Sequence, residues 1–293
     1  MSYDLIKSTD EHMTRSRLYL PRGTHYYPSE ASVVWTDQHD IVRVGGQCLR
    51  QSWYRLCADI EGSKHDAFTQ WIFALGSAVE QILVEQWKQM GVWVANNIKF
   101  YDQERNISGE LDVVLSEPDG TLFGVEVKSF YGYHGTKKII GNKSTIGRPK
   151  TSQLLQCLVY VDLCRKLELA DYFKLVYYAR DSAARREFNI RLIEDGEFLR
   201  PTINDVIDYR FTMQDIYDRY TELDEYVKSK VVPPRDFEKV WSPGKVEKRR
   251  SLGEVAKTTY EKWQKKPANN PIGDWQCRYC AYSEFCENED AST

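Results

Sequence analysis

At 293 residues with 42% hydrophobic side chains, the chain has material for one large α/β core with appendages. A formal net charge of −3 argues against whole-molecule attraction to nucleic acid or to an anionic membrane, and no apolar run approaches spanning length. No targeting segment is legible, so a cytoplasmic protein without membrane association is expected, and the cysteines suit metal better than disulfides.

Residues 1–68 read as a partly irregular N-terminal region containing Gln47-Cys48-Leu49-Arg50, with Trp53 and Tyr54 following. A strong helical pattern over about 70–90 carries Gly76 and, four residues on, Glu80. Strands are expected near 92–100, 107–116 and 121–130. The second places Asp112 among apolar neighbours (Leu111, Val113, Val114, Leu115), and the third runs Gly124-Val125-Glu126-Val127-Lys128. Strand side chains alternate, so Glu126 and Lys128 share one face while Val125 and Val127 point into a core. Two carboxylates on buried strands are costly to desolvate unless compensated, and Mg²⁺ or Mn²⁺ compensates them directly. Such a cation beside an ammonium is equipment for hydrolysing a phosphodiester.

The stretch from Lys137 to Lys150 holds Lys137, Lys138, Lys143, Arg148 and Lys150 and no acidic residue. It reads as a mobile loop able to contact phosphates. Pro149 then introduces a helix on which Gln156 and Tyr160, four apart, share a face. Cys157 and Cys164 on the same helix read as small core side chains. Strands near 172–180 and 186–193 follow, then a helix over 204–229 ended by Pro233-Pro234. A basic run (Lys245, Lys248, Arg249, Arg250, Lys257) is flanked by Trp241, Tyr260 and Trp263, which suits single strands stacking on aromatic platforms as well as it suits a solvated linker. Cys277, Cys280 and Cys286 close the chain in a C-x2-C-x5-C pattern, whose soft thiolates favour zinc or an iron–sulfur cluster once a fourth ligand is found.

Asp112, a thirteen-residue spacer and Glu126-Val127-Lys128 together resemble the core motif of the PD-(D/E)XK nuclease superfamily. Gln156-x-x-x-Tyr160 resembles the element that marks its RecB-like members, where the helix lies beside the active site and contacts DNA. The terminal cysteines resemble those of the iron–sulfur RecB-like nucleases, among them the CRISPR-adaptation exonuclease and the AddB nuclease domain. There the fourth ligand comes from near the N-terminus, which here selects Cys48 with Cys57 in reserve. Members usually carry Gly-x-x-x-His where this chain has Gly76-x-x-x-Glu80. Glutamate also suits a hard cation, so Glu80 stands as the third ligand.

The resemblance implies an α/β fold, a mixed central sheet flanked by helices, with a C-terminal cysteine cluster closing onto the N-terminal region. The expected divisions are 1–68, a nuclease core at 69–200, a helical and basic appendage at 201–270, and a cluster-binding segment at 271–293. Closing a loop from residue 48 to 286 costs roughly 5 kcal/mol of chain entropy, which would make the cluster a structural staple. The implied activity is metal-dependent DNA cleavage, with Asp112, Glu126 and Lys128 catalytic and Glu80, Asp112, Glu126 and the Val127 carbonyl holding Mg²⁺ or Mn²⁺. Gln156, Tyr160 and the basic stretch would contact DNA, single-stranded ends being favoured. A [4Fe–4S] cluster would sit on Cys48, Cys277, Cys280 and Cys286, and recombination, repair or CRISPR-adaptation proteins would be partners. The competing readings are a catalytically inactive nucleic-acid-binding or assembly module on the same fold, and a zinc-stapled version.

Overall fold

A computed structural model describes residues 5–16, 23–58, 62 and 66–290; the remaining parts of the first and last expected divisions lie outside the described residues. In chain order the elements begin with α1 (Leu5–Ser16), a hairpin of β1 (Ser32–Thr36) and β2 (Val42–Gly46), and α2 (Leu49–Cys57). Next come α3 (Ala67–Gln89), β3 (Trp93–Asp102), β4 (Ile107–Ser116) and β5 (Leu122–Phe130). α4 (Tyr133–Ile139) and a small hairpin, β6 (Gly141–Asn142) with β7 (Thr145–Ile146), lead into α5 (Thr151–Lys166). β8 (Tyr172–Ala179), β9 (Arg185–Asp195), β10 (Phe198–Ile203) and β11 (Val206–Ile207) precede α6 (Met213–Ser229). α7 (Pro243–Ser251), α8 (Lys257–Lys265), α9 (Trp275–Arg278) and α10 (Ser283–Asp290) complete the described chain.

Seven strands form one mixed sheet in the order β11-β10-β9-β8-β5-β4-β3. Neighbouring strands are antiparallel except β5 and β8, which run parallel across the α5 crossover. The expected α-β-β-β-α-β order is therefore present from α3 to β8, with helices on both faces. Val125 and Val127 pack with Leu83 and Val84 of α3 and with Val113, Leu115 and Val176. The opposite face meets the almost wholly buried α5 (Leu154, Leu155, Leu158, Val161) in a larger cluster. That cluster also takes in Val33, Leu49 and Trp53 from the N-terminal region and Ile216 and Leu223 from α6, so one core runs through three of the expected divisions.

The partly irregular N-terminal region also holds a hairpin, in which the alternating Ser32-Val33-Val34-Trp35-Thr36 pairs with β2. Three expectations need correction. The helix expected over 204–229 begins at Met213. Asn204 and Asp205 both take positive φ (50° and 63°), the conformation of a tight hairpin turn, and join β10 to β11. Thr212 then starts the helix, its side chain accepting from the Asp215 N–H in a capping box. The basic stretch after β5 is not a loop but α4 and the β6–β7 hairpin, anchored by buried Ile139 and by Arg186, which donates to the Ile140 carbonyl. Finally, α3 is long and apolar enough to cross a membrane by length and composition alone, because only Glu80, Glu85 and Lys88 interrupt 23 residues. Its apolar residues divide between the sheet and solvent, where Phe68, Leu75 and Ile82 are exposed.

Gly124 of β5 lies against Phe173 of β8, and a Cβ there would come 2.2 Å from the Phe173 ring. Phe173 is fully buried and cannot withdraw, so Gly124→Ala is expected to cost about 1–3 kcal/mol in a denaturant melt. An unchanged midpoint would show that β5 and β8 pack less closely than this.

Candidate active site

The antiparallel ladder between β4 and β5 runs from Ser116↔Leu122 to Val113↔Val125 and stops there. β5 continues along β8 alone as far as Phe130. Asp112 and Glu126 are the first residues past the end of the ladder. With no β4 carbonyl opposite it, the Val127 N–H donates to Asp112 Oδ2 at 2.9 Å. A backbone donor freed by the splitting strands is thus satisfied by the first carboxylate, which fixes that carboxylate beside the second strand.

Glu126 is 1% exposed, and its Oε1 pairs with Lys128 Nζ at 2.5 Å. Its Oε2 meets no donor. Burial raises the carboxyl from the ordinary 4.5 to about 7; Lys128 opposes the shift, while Asp112 and Glu80 add to it. Asp112 is also raised, by burial first, against the pull of Lys128 and the Val127 N–H. Glu80 of α3 is raised by burial and then by Asp112. Burial works against the Lys128 ammonium, but Glu126 and Asp112 outweigh it and raise its pKa. These four side chains therefore sit in one another's field, with carboxylate charge in excess.

Gln156 and Tyr160 project toward this centre from α5, Gln156 Nε2 donating to the Tyr160 hydroxyl at 3.3 Å. The Tyr160 ring is 4% exposed and lies against Phe100 and Phe173. It is a buried support for the half-exposed Gln156 amide. Cys157 lies under Glu126 and Lys128, its thiol raised strongly by burial, and Cys164 is likewise a core side chain.

Sequence reading overlooked Glu110. Two residues before Asp112 on β4, it accepts from Asn97 Nδ2 at 2.8 Å and raises the carboxyls of both Asp112 and Glu80. The period-two spacing from Asp112 was the available signal. The cations Lys137 and Lys138 stand exposed on α4, Lys143 at the hairpin tip, and Arg148 and Lys150 before α5. Trp241, Tyr260 and Trp263 are partly buried against Val246, Val255 and Ile272. Lys245 and Arg249 are paired with Glu238 and Glu254.

The cysteines gather elsewhere. Cys48, at the start of α2, and Cys277, Cys280 and Cys286 line one pocket with Arg50, Tyr54, Arg235 and Lys239. Leu49 N–H donates to Asp236 Oδ2 at 2.7 Å, and Arg50 Nη1 lies 3.6 Å from Cys286 Sγ. Burial, then Cys48, pushes the Cys277 thiol up to about 12. Cys57 is at the other end of α2, its Sγ facing the Val227 carbonyl, and does not line the pocket.

Among the described residues no group of three or more Cys, His, Asp or Glu side chains is arranged to hold a metal ion. The carboxylate centre nonetheless fits a hard divalent cation. A fully buried carboxylate oxygen without a donor, beside a second carboxylate, is the deficit that a cation would fill.

A family model of the PD-(D/E)XK nuclease superfamily matches residues 37–287. The chain belongs to the PD-(D/E)XK nuclease superfamily. The seven-strand mixed sheet flanked by helices is consistent with that superfamily's core, and its members are mostly metal-dependent nucleases that usually use Mg²⁺ or Mn²⁺. A nuclease-type function follows for the chain at that level. No curated protein matches it. Among solved structures, one described as "Crystal structure of SSO0001" is similar at 14% identity and a TM-score of 0.43, over 97% of this chain and 96% of that one.

The raised carboxyls make a stability prediction for cation-free protein. Between about pH 4.5 and 7 the folded chain holds a proton on Glu126 that the unfolded chain has released, so stability falls as pH rises through this window. Asp112 and Glu80 act in the same direction. Wild type in chelator is expected to melt lower near pH 8 than near pH 5, and Glu126→Gln to shrink that difference. An equal difference in both proteins would count against a buried, ionisable Glu126.

Proposed function

We propose that the chain is a metal-dependent deoxyribonuclease, an exonuclease acting on single-stranded DNA ends, and that it carries a structural [4Fe–4S] cluster. The observation that carries the catalytic part is the buried, donor-less Glu126 oxygen beside Asp112 at the split of two strands. Asp112, Glu126, Glu80 and the Val127 carbonyl would hold Mg²⁺ or Mn²⁺. When bound, the cation supplies an acidified water and charge stabilisation at the phosphate.

The chain's own groups do the rest. The Val127 N–H holds Asp112 in place, and the packing of Val125 and Val127 fixes the face on which Glu126 and Lys128 stand. Lys128, held charged by two carboxylates, offers an ammonium for the charge that grows on the phosphate oxygens. Gln156, braced by Tyr160, positions the strand, and the exposed cations of α4 and the β6–β7 hairpin bind flanking phosphates. Cytoplasmic residence and recombination, repair or CRISPR-adaptation partners belong to the same proposal.

The four-thiol pocket supports the cluster, with Cys48 preferred to Cys57 as the fourth ligand. Arginines and a lysine around it suit the negative charge of a thiolate-ligated cluster. Protein purified without oxygen is expected to be brown and to contain iron; colourless protein holding zinc would favour the zinc-stapled version. Cys48→Ser is expected to lose iron and folded yield, and full iron content in that variant would move the ligand to Cys57.

For catalysis, the test is end-labelled single- and double-stranded DNA with Mn²⁺ or Mg²⁺. Asp112→Ala, Glu126→Ala and Lys128→Ala are each expected to lower cleavage by about 100-fold or more while iron content stays constant. Folded, iron-loaded wild type that cleaves neither substrate would point to a binding or assembly role on this fold.

A further inference from the structure

Beyond Lys128, β5 ends at Phe130 and the chain turns through Tyr131-Gly132-Tyr133 into α4. Tyr131 is 73% exposed and Tyr133 72% exposed, values far above what a tyrosine serving the core would show. The backbone beneath them is firmly held. Gly132, at φ +87°, donates its N–H to Asp181 Oδ2 at 3.0 Å. The Arg180 N–H donates to the Phe130 carbonyl, and Arg180 Nη1 donates to the Ile72 carbonyl of α3 at 2.9 Å. α4 folds directly over the strand end, where a Cβ on Gly135 would come 2.9 Å from the Phe130 ring. Two rings thus project into solvent from a tethered turn.

We infer that Tyr131 and Tyr133 form a stacking platform for unpaired bases of a single nucleic-acid strand leaving the carboxylate centre. This rests on the nuclease reading and adds residues that the catalytic motif does not contain. Three observations select the occupant. Tyr131 follows the last residue of β5, three positions after Lys128, so its backbone lies about 10 Å from that of Lys128. Lys137 is four residues beyond Tyr133 on α4 and shares its face, with Lys138 beside it, so a cation for phosphate accompanies a ring for the base. No acidic residue interrupts Lys137 to Lys150, while the nearby Asp181 is engaged by the Gly132 N–H. Aromatic side chains this exposed can stack with unpaired bases, whereas a duplex keeps its bases stacked on one another, so the strand is single.

The test compares wild type, Tyr131→Ala/Tyr133→Ala and Tyr131→Phe/Tyr133→Phe, each as full-length protein with its metal content and melting curve checked. Affinity for a fluorescein-labelled oligothymidine is read by anisotropy without added divalent cation, beside a blunt duplex of the same length. The alanine pair is expected to weaken single-strand binding by about tenfold or more, and the phenylalanine pair to bind as wild type does. Duplex affinity is expected to stay within about twofold of wild type in both variants. Unchanged single-strand affinity in the alanine pair would overturn the platform, as would an equal loss on the duplex. A change in oligomeric mass by light scattering instead of in strand affinity would overturn it in favour of a protein-docking surface. Hydrolysis of bis(4-nitrophenyl) phosphate with Mn²⁺, a phosphodiester without bases, reads the catalytic centre separately and should be equal in all three proteins. A wild type inactive on that ester and on DNA would defeat the nuclease reading, while the anisotropy comparison would still decide the platform.

Discussion

A carboxylate at 1% exposure with one oxygen lacking any donor is the constraint around which the sheet half of this chain is arranged. Glu126 sits where β5 has lost β4 as a neighbour but still has β8. The split leaves room for acidic side chains between strands that elsewhere are packed with valine and leucine. It also frees the Val127 N–H, and Asp112 satisfies it. The pair is therefore produced by one local event, the end of a ladder. Lys128 offsets part of the charge, yet the Glu126 carboxyl stays at about 7, so the site holds strain that a well-packed apolar strand would not. Proteins retain such arrangements where chemistry requires them.

The cysteine pocket depends on a different tie. The segment from Pro233 to Trp241 binds the start of α2 through Asp236 and the Pro233 carbonyl, and binds the C-terminal segment through Glu238 and Lys239. Asp236 also accepts from Arg219 of α6 at 2.7 Å. The two ends of the chain are thus joined by hydrogen bonds and ion pairs before any cluster is considered. The loop-closure cost that sequence separation assigns to the metal alone is shared with this segment. A cluster there would reinforce a junction that already exists.

Charge and aromatic rings also divide in a way that composition conceals. In the α7–α8 region the rings face inward and several cations are paired, so a stretch that reads as a nucleic-acid surface is a small core with an ion-paired skin. After β5 the opposite holds: two tyrosines and the cations of α4 face solvent. The difference lies in what each segment can pack against. Val246, Val255 and Ile272 give the later aromatics a small core to pack on, whereas Tyr131 and Tyr133 stay largely exposed on a turn pinned at its backbone.

Much of the carboxylate centre was legible because its information is local. Alternation along Val125-Glu126-Val127-Lys128 fixes which side chains share a face, and the apolar neighbours of Asp112 mark a buried strand. Helical spacing related Gln156 to Tyr160, and the structure joins them by a hydrogen bond with the tyrosine ring buried. Glu110 was legible by the same alternation and was passed over. The start of α6 was misread because apolar spacing continues through β10 and β11, where the left-handed Asn204 and Asp205 form a turn. What the sequence determined by itself was the central run of elements from α3 to β8, the faces of its strands and the residues able to bear charge. Only the tertiary structure decided that the β4–β5 ladder stops at Val113, that Cys48 and not Cys57 meets the distant thiols, and which rings stay in solvent. Those outcomes depend on contacts between residues far apart in the chain, and no local period encodes them.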